Sequence, residues 1–256
     1  MGIDEVIRGS IQPIVIAHRG ASFYNRENTM NAFEAAVNMR AEMVEFDVRR
    51  TSDGVLVTYH DPNIGDSLIS EMTFEEVKAA SAKQHYDIPT LPEVLRYLRG
   101  KLPLDIELKE AGYEEQVLQT VLDSLDPDQF VVSSSNDIVI LKVRTIRPEI
   151  RTGLVLSSQS LPGLLRELFS AARARATGAD VLMVHRQLIQ MGFLRVNAKL
   201  KVPVWVYTIN DRKELWKYIT DRRIGAVFTD RPDVALFLRD MYAVSQKSAS
   251  KIRNRE

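Results

Sequence analysis

The chain has 256 residues and no cysteine. That absence excludes a disulfide framework, a thiolate zinc site, an iron–sulfur cluster and a cysteine nucleophile, and it leaves the cellular compartment open. Histidine is scarce, with four copies, so a zinc site built from imidazoles alone is not expected. Neither sign of charge is in excess, since Lys+Arg and Asp+Glu each number 34. No net field gathers nucleic acid or anionic lipid, and nucleic-acid binding is not expected. Long apolar runs are also missing. Met1–Ser10 carries Asp4, Glu5 and Arg8 and lacks the apolar core of a secretion signal. The stretch Thr152–Leu165 contains Gly153, Pro162 and the run Ser157-Ser158-Gln159-Ser160, and is too short to cross a bilayer. The expectation is a soluble, cytoplasmic protein without stable membrane insertion.

What is present is a globular balance, 45% hydrophobic and 27% charged, at a length that suits one large α/β domain or two small ones. Short β-branched runs predict strands at Ile14–Ala17, Met43–Arg49 extended by Val55–Tyr59, Leu104–Leu108, Phe130–Ser134, Gly153–Leu156, Asp180–Val184, Val202–Thr208 and Ala226–Thr229. Helical patterns lie between them: Thr29–Asn38, Thr90–Leu98, Glu114–Leu125, Ile138–Ile146, Leu164–Ala176, Gln187–Lys199, Lys213–Ile219 and Asp233–Ala243. Eight strand–helix units in one chain of this length predict a single (β/α)8 TIM-type barrel over residues 1–244. An open doubly wound sheet has the same repeat and differs only in closure. Residues 245–256, with Lys247, Lys251, Arg253 and Arg255, read as a basic, frayed tail, with a phosphate-binding arm as the alternative.

The second and third strands carry the chemistry. Val44-Glu45-Phe46-Asp47-Val48-Arg49 and Leu104-Asp105-Ile106-Glu107-Leu108-Lys109 both alternate apolar and charged residues. In a barrel wrapped by helices the apolar set faces outward, so the charged set points into the interior. Glu45, Asp47 and Glu107 then converge near the C-terminal mouth. Gathered carboxylates repel one another in a low dielectric and must share protons or hold a cation. An all-oxygen set favours one divalent cation of the Mg²⁺, Ca²⁺ or Mn²⁺ kind. Lys109 shares that face and neutralises part of the charge. A purely structural ion-pair network would use the same residues.

His18 ends the first strand, in Ala17-His18-Arg19-Gly20, and His60 ends the extension of the second, in Tyr59-His60-Asp61-Pro62. Both stand where the catalytic loops of a barrel begin. Histidine titrates near neutrality, so the pair can serve as general base and general acid. Arg19 adds a planar donor fork suited to phosphate. His85 lies in a polar loop and reads as a surface residue. His185 ends the sixth strand and reads as either a substrate contact or loop packing. Trp205 and Tyr207 share one face of the seventh strand and read as either a wall for an organic group or core.

In order, His18-Arg19-Gly20, Glu27-Asn28-Thr29, Glu45-x-Asp47, His60-Asp61 and Glu107-x-Lys109 resemble the glycerophosphodiester phosphodiesterase family. Ile88-Pro89-Thr90-Leu91, Thr208-Ile209-Asn210 and Phe228-Thr229-Asp230-Arg231-Pro232 extend the resemblance over nearly the whole chain. The resemblance implies a TIM-type barrel, a divalent cation, and hydrolysis of glycerophosphodiesters to sn-glycerol 3-phosphate and an alcohol. It makes His18 and His60 the acid–base pair and Glu45, Asp47 and Glu107 the metal ligands. It makes Arg19 and Lys109 phosphate contacts, with Glu27 and Asn28 supporting the first loop. Lysophospholipase D or a cyclising phosphodiesterase would use much the same arrangement. A barrel that only binds a phosphoryl ligand is the reading from a different class.

Overall fold

The computed structural model describes residues 2–8, 12–157 and 160–253. Eight parallel strands form the barrel: β1 Ile14–His18, β2 Met43–Arg50, β3 Leu104–Leu108, β4 Phe130–Ser134, β5 Arg151–Leu156, β6 Val181–His185, β7 Val204–Tyr207 and β8 Ile224–Thr229. Each strand pairs with its sequence neighbour, and β1 pairs with both β2 and β8, which closes the ring and rules out the open sheet. Helices Met30–Asn38, Leu91–Leu98, Glu114–Leu122, Asp137–Ile146, Arg212–Ile219 and Pro232–Arg253 cover the outside. They pack on the outward strand residues, among them Val44, Phe46, Ile106, Leu154, Leu182 and Val206.

The inward residues of the lower barrel make a separate core. Ile14, Ile16, Met43, Val131, Val181, Met183, Trp205, Ala226 and Phe228 pack together there. Helix Ile3–Arg8, absent from the expected elements, adds Ile3 and Val6 to this cluster. Asp4 of that helix ion-pairs at 2.7 Å with Arg151, the first residue of β5, so the helix closes the N-terminal end. Polar inward residues are thereby left to the C-terminal half, where the strands end.

Other details depart from expectation. Val55–Tyr59 does not extend β2. Asp53 and Gly54 (φ +85°) reverse the chain, and Leu56–Thr58 returns antiparallel to the end of β2, with Val48 opposite Thr58. That return carries His60 back over the mouth. A two-strand ladder, Asn63–Ile64 with Ser67–Leu68, and helix Phe74–Ala82 follow. The Thr73–Glu76 capping box at the start of that helix is a visible sequence signal that the strand–helix count passed over. The expected helix 164–176 is two helices, Leu161–Leu168 and Ala171–Thr177, because the chain leaves helical geometry at Phe169 and Ser170. The expected helix 187–199 is likewise two, Arg186–Gln190 and Phe193–Val196, parted at Gly192. The last helix does not stop at the expected Ala243 but continues to Arg253, so residues 245–253, expected to fray, are helical. Arg255 lies outside the described residues. No helix among the described residues is long and apolar enough to cross a membrane.

Candidate active site

His18 is the last residue of β1, and the turn after it is sterically exacting. Gly20 has φ +83°, and a Cβ on it would lie 2.6 Å from the carbonyl carbon of Ala32 in the following helix. The loop thus presses onto helix Met30–Asn38, whose N-cap is Thr29. Arg19 (φ +55°) points its backbone N–H at Glu45 Oε2, 2.8 Å away. Its guanidinium Nε lies 3.1 Å from Asp47 Oδ2, and Nη1 donates to Glu27 at 2.9 Å.

Glu45 and Asp47 face inward from β2, and Glu107 from β3, as the alternation predicts. One carboxylate oxygen from each falls within 4.8 Å of the others. Asp47 is fully buried and lies between Lys109 Nζ at 3.3 Å and the Arg19 guanidinium. Burial pushes its carboxyl up, but Lys109 and Arg19 outweigh that and hold it well below the usual range. Glu45 has less compensation, and burial followed by repulsion from Asp47 drives its carboxyl well up. Glu107 accepts from Lys109 at 2.9 Å. Asp105, one inward step below Glu107, is a fourth carboxyl of the site and is fully buried. It accepts from Ser133 at 2.6 Å, and burial raises it well above the ordinary value.

Two further observations bear on a cation. Glu45 Oε1 is a buried oxygen without a hydrogen-bond donor, and Asp47 Oδ1 is buried with only the Lys109 ammonium, 3.3 Å away, beside it. The converging donors are all carboxylate oxygens, the chemistry of a hard divalent ion. The residues present therefore fit such an ion.

His18 and His60 line one cavity of about 130 Å³. His18 Nδ1 is 2.7 Å from Asp230 Oδ1. Asn210 clamps Asp230, donating from Nδ2 to its Oδ2 and accepting its backbone N–H at 2.9 Å. His60 Nδ1 is 2.8 Å from Asp61 Oδ1. The two carboxylates differ in setting, because the Asp230 side chain is 25% exposed and that of Asp61 64%. Arg19, Glu45, Asp105, Glu107 and Lys109 line the charged half of the cavity. Val155, Met183, Tyr207 and Phe228, with Ser135 and Ser157, line the rest.

Several of the expected residues lie off the cavity. Trp205 is fully buried in the lower barrel core and does not line the cavity, because β7 puts it one inward step below Tyr207. His185 caps helix Arg186–Gln190 by accepting from Gln187 N–H at 3.4 Å. It meets the Tyr207 ring edge-on at 5.5 Å and stays outside the cavity lining. Glu27 touches Arg19 rather than the cavity. Asn28 (φ +57°) works behind Asp47, donating to Oδ2 at 2.8 Å and accepting the Asp47 N–H at 3.2 Å. His85 is exposed, as expected. Sequence reasoning gave no role to Asp230, Asn210, Asp105 or Arg49. The first two stood within quoted motifs and Asp105 and Arg49 within the quoted strands, so position was the signal available.

Comparison with known proteins agrees with this geometry. The glycerophosphoryl diester phosphodiesterase family model matches residues 18–234. The Bacillus subtilis (strain 168) protein YhdW is 30% identical, over 86% of this chain and 95% of its own. A glycerophosphodiester phosphodiesterase of Caldanaerobacter subterraneus subsp. tengcongensis is 27% identical, over 89% of this chain and 98% of its own. A phosphodiesterase of Oleispira antarctica, solved in complex with the product sn-glycerol-3-phosphate, superposes with a TM-score of 0.72 at 26% identity, covering 90% of this chain and 97% of that one. With a family match that begins at His18 and runs into the first turn of the last helix, this chain belongs to the glycerophosphoryl diester phosphodiesterase family.

Proposed function

We propose that the chain hydrolyses glycerophosphodiesters to sn-glycerol 3-phosphate and an alcohol, with His18 and His60 as its acid–base pair and one divalent cation, Mg²⁺ or Ca²⁺ or else Mn²⁺, on Glu45, Asp47 and Glu107. The carrying observation is that both imidazoles, Arg19, Lys109 and two of the three converging carboxylates, Glu45 and Glu107, line one cavity, with the third, Asp47, buried against them. The product held by the Oleispira antarctica relative supports the choice of substrate.

A phosphodiester is an anion that resists nucleophiles. When bound, the cation supplies Lewis-acid withdrawal of charge from the phosphoryl oxygens. Arg19 and Lys109 add fixed positive charge and orient the diester. One imidazole takes the proton of the attacking oxygen while the other protonates the departing alkoxide, help typically worth about 10²–10⁴-fold. Asp230 holds the His18 ring through Nδ1, and Nε2, 3.4 Å from the Thr208 hydroxyl, is the nitrogen that exchanges the proton. Asp61 likewise holds the His60 ring through Nδ1.

The test is an assay on glycerophosphocholine that measures glycerol 3-phosphate and choline, before and after EDTA and after restoring Mg²⁺, Ca²⁺ or Mn²⁺. Activity that is lost and regained supports the proposal. Release of choline from lysophosphatidylcholine, with none from glycerophosphocholine, would move the assignment to lysophospholipase D. Binding of glycerol 3-phosphate without turnover of either would make the barrel a binder.

A further inference from the structure

His60 lies beyond any barrel strand. Its segment is held by the short return strand Leu56–Thr58 and then leaves as a loop. Such a loop leaves an acid–base group poorly fixed unless something ties it down. Arg49 supplies a tie. It faces inward from β2, one step above Asp47, and its side chain is 7% exposed. Its Nε donates to the backbone carbonyl of His60 at 2.9 Å, and Nη2 donates to the same oxygen. Nη1 pairs with the carboxylate of Glu110.

Glu110 is itself fixed. Its Oε2 lies 2.8 Å from the Tyr113 hydroxyl, and its N–H donates to that hydroxyl at 3.1 Å. The Tyr113 hydroxyl also lies 2.8 Å from the carbonyl of Val48. A continuous strap thus runs from β2 through Tyr113, Glu110 and Arg49 to the His60 carbonyl. Glu110 follows Lys109 directly, so the strap ties the His60 loop to the strand end that bears a proposed phosphate contact.

By residue type and face, Arg49 resembles a further phosphate-binding group. The geometry argues otherwise. Each of its three nitrogens already has a protein acceptor, and it is not among the residues lining the cavity.

We infer that Arg49, held by Glu110, is a positioning residue that fixes His60 over the site through its backbone carbonyl; this rests on the role proposed above for His60. A guanidinium fork suits the task because one side chain reaches two acceptors on different segments at once, which a single ammonium does less well.

The experiment compares Arg49→Gln, Arg49→Lys and Glu110→Gln in the full chain. Arg49→Gln is expected to lower kcat on glycerophosphocholine roughly 10–100-fold, the scale of a small misplacement, with KM and Mn²⁺ affinity unchanged. Arg49→Lys should recover part of the loss. Hydrogen exchange of amides 59–64 should rise by about tenfold or more in Arg49→Gln as the loop comes free. In a His60→Ala background, Arg49→Gln should cost nothing further. Glu110→Gln leaves the guanidinium in place and should act in the same direction more weakly, which keeps the test open if Arg49→Gln does not fold. A rise in KM without a fall in kcat, an equal loss in the His60→Ala background, or unchanged exchange over 59–64 would overturn the inference. If the unaltered chain turned over no glycerophosphodiester, the functional proposal would fail, and the exchange measurement would still decide whether Arg49 holds the loop.

Discussion

His18 and Asp230 stand 212 positions apart in the chain and meet at 2.7 Å across the seam between β1 and β8. Ring closure makes the meeting possible, since β8 pairs with the first strand only in a barrel. Burial pushes the Asp230 carboxyl up, but the hydrogen bond and charge of His18 outweigh it, and the group ends below its ordinary value. A carboxyl lowered on folding stabilises the protein above its unfolded pKa, and that contribution is lost as pH falls through the folded value. Asp230→Asn should therefore lower Tm at pH 7, and the gap from the unaltered protein should close as pH drops below about 4, the ordinary aspartate range. Thermal melts of both proteins from pH 7 to pH 2 check this, and a gap that is constant across the range contradicts it.

The imidazoles give a second prediction. His18→Ala and His60→Ala should each reduce kcat by at least about 10²-fold, with Tm changed far less than by a core substitution. Their effects should be far from additive if the two act on one proton-transfer sequence. Steady-state kinetics of the single and double variants, beside circular dichroism melts, provide the measurement. Near-normal turnover in either single variant removes that histidine from the mechanism.

These two residues and the carboxylates were legible for a physical reason. In a closed barrel the inward face must be polar at the mouth and apolar below, so a period-two alternation on β2 and β3 names Glu45, Asp47 and Glu107 before any coordinates exist. The end of β1 likewise marks His18, whereas His60 was marked by an expected extension of β2 that is instead the return strand Leu56–Thr58. Trp205 shows the limit of that rule. It shares the inward face with Tyr207, and only the height of β7 in the barrel decides that Trp205 is core and Tyr207 is cavity wall. Partner choice was also hidden. Whether Asp230 meets His18, or Arg49 meets the His60 carbonyl, depends on closure and on the return strand Leu56–Thr58, which the periodicity of one segment cannot express.

The carboxylate cluster predicts a defined response to metal. Glu107→Gln and Glu45→Gln should each weaken Mn²⁺ binding, read by the paramagnetic signal of free ion in a titration without substrate. Because each removes one anionic oxygen from a small hard-ligand set, a loss of roughly tenfold or more is expected, about 1.4 kcal/mol by the affinity relation. Chelation of the unaltered protein should abolish turnover and leave the barrel folded, since its apolar core below the site does not involve these carboxylates. Unchanged Mn²⁺ affinity in both variants would show that the cluster is only a structural ion-pair network.

Trp205 supplies the last prediction, one that separates packing from chemistry. Its side chain fills the lower barrel beside Phe228, ring centroids 6.1 Å apart, and Cδ1 and Nε1 would lie 3.2 Å from a Cβ at Gly225. Nε1 is buried without an acceptor, so the indole earns its place by volume and apolar contact. Trp205→Ala should leave a cavity that close-packed neighbours cannot refill and cost about 3–5 kcal/mol. Trp205→Phe should cost less, because it removes less volume and also deletes the unpartnered N–H. In both variants that remain folded, KM for glycerophosphocholine should stay near its original value, because no atom of Trp205 lines the cavity. Urea melts and steady-state kinetics on the pair decide the matter. A severalfold rise in KM with little loss of stability would return Trp205 to the substrate wall, where Tyr207 now stands alone on β7.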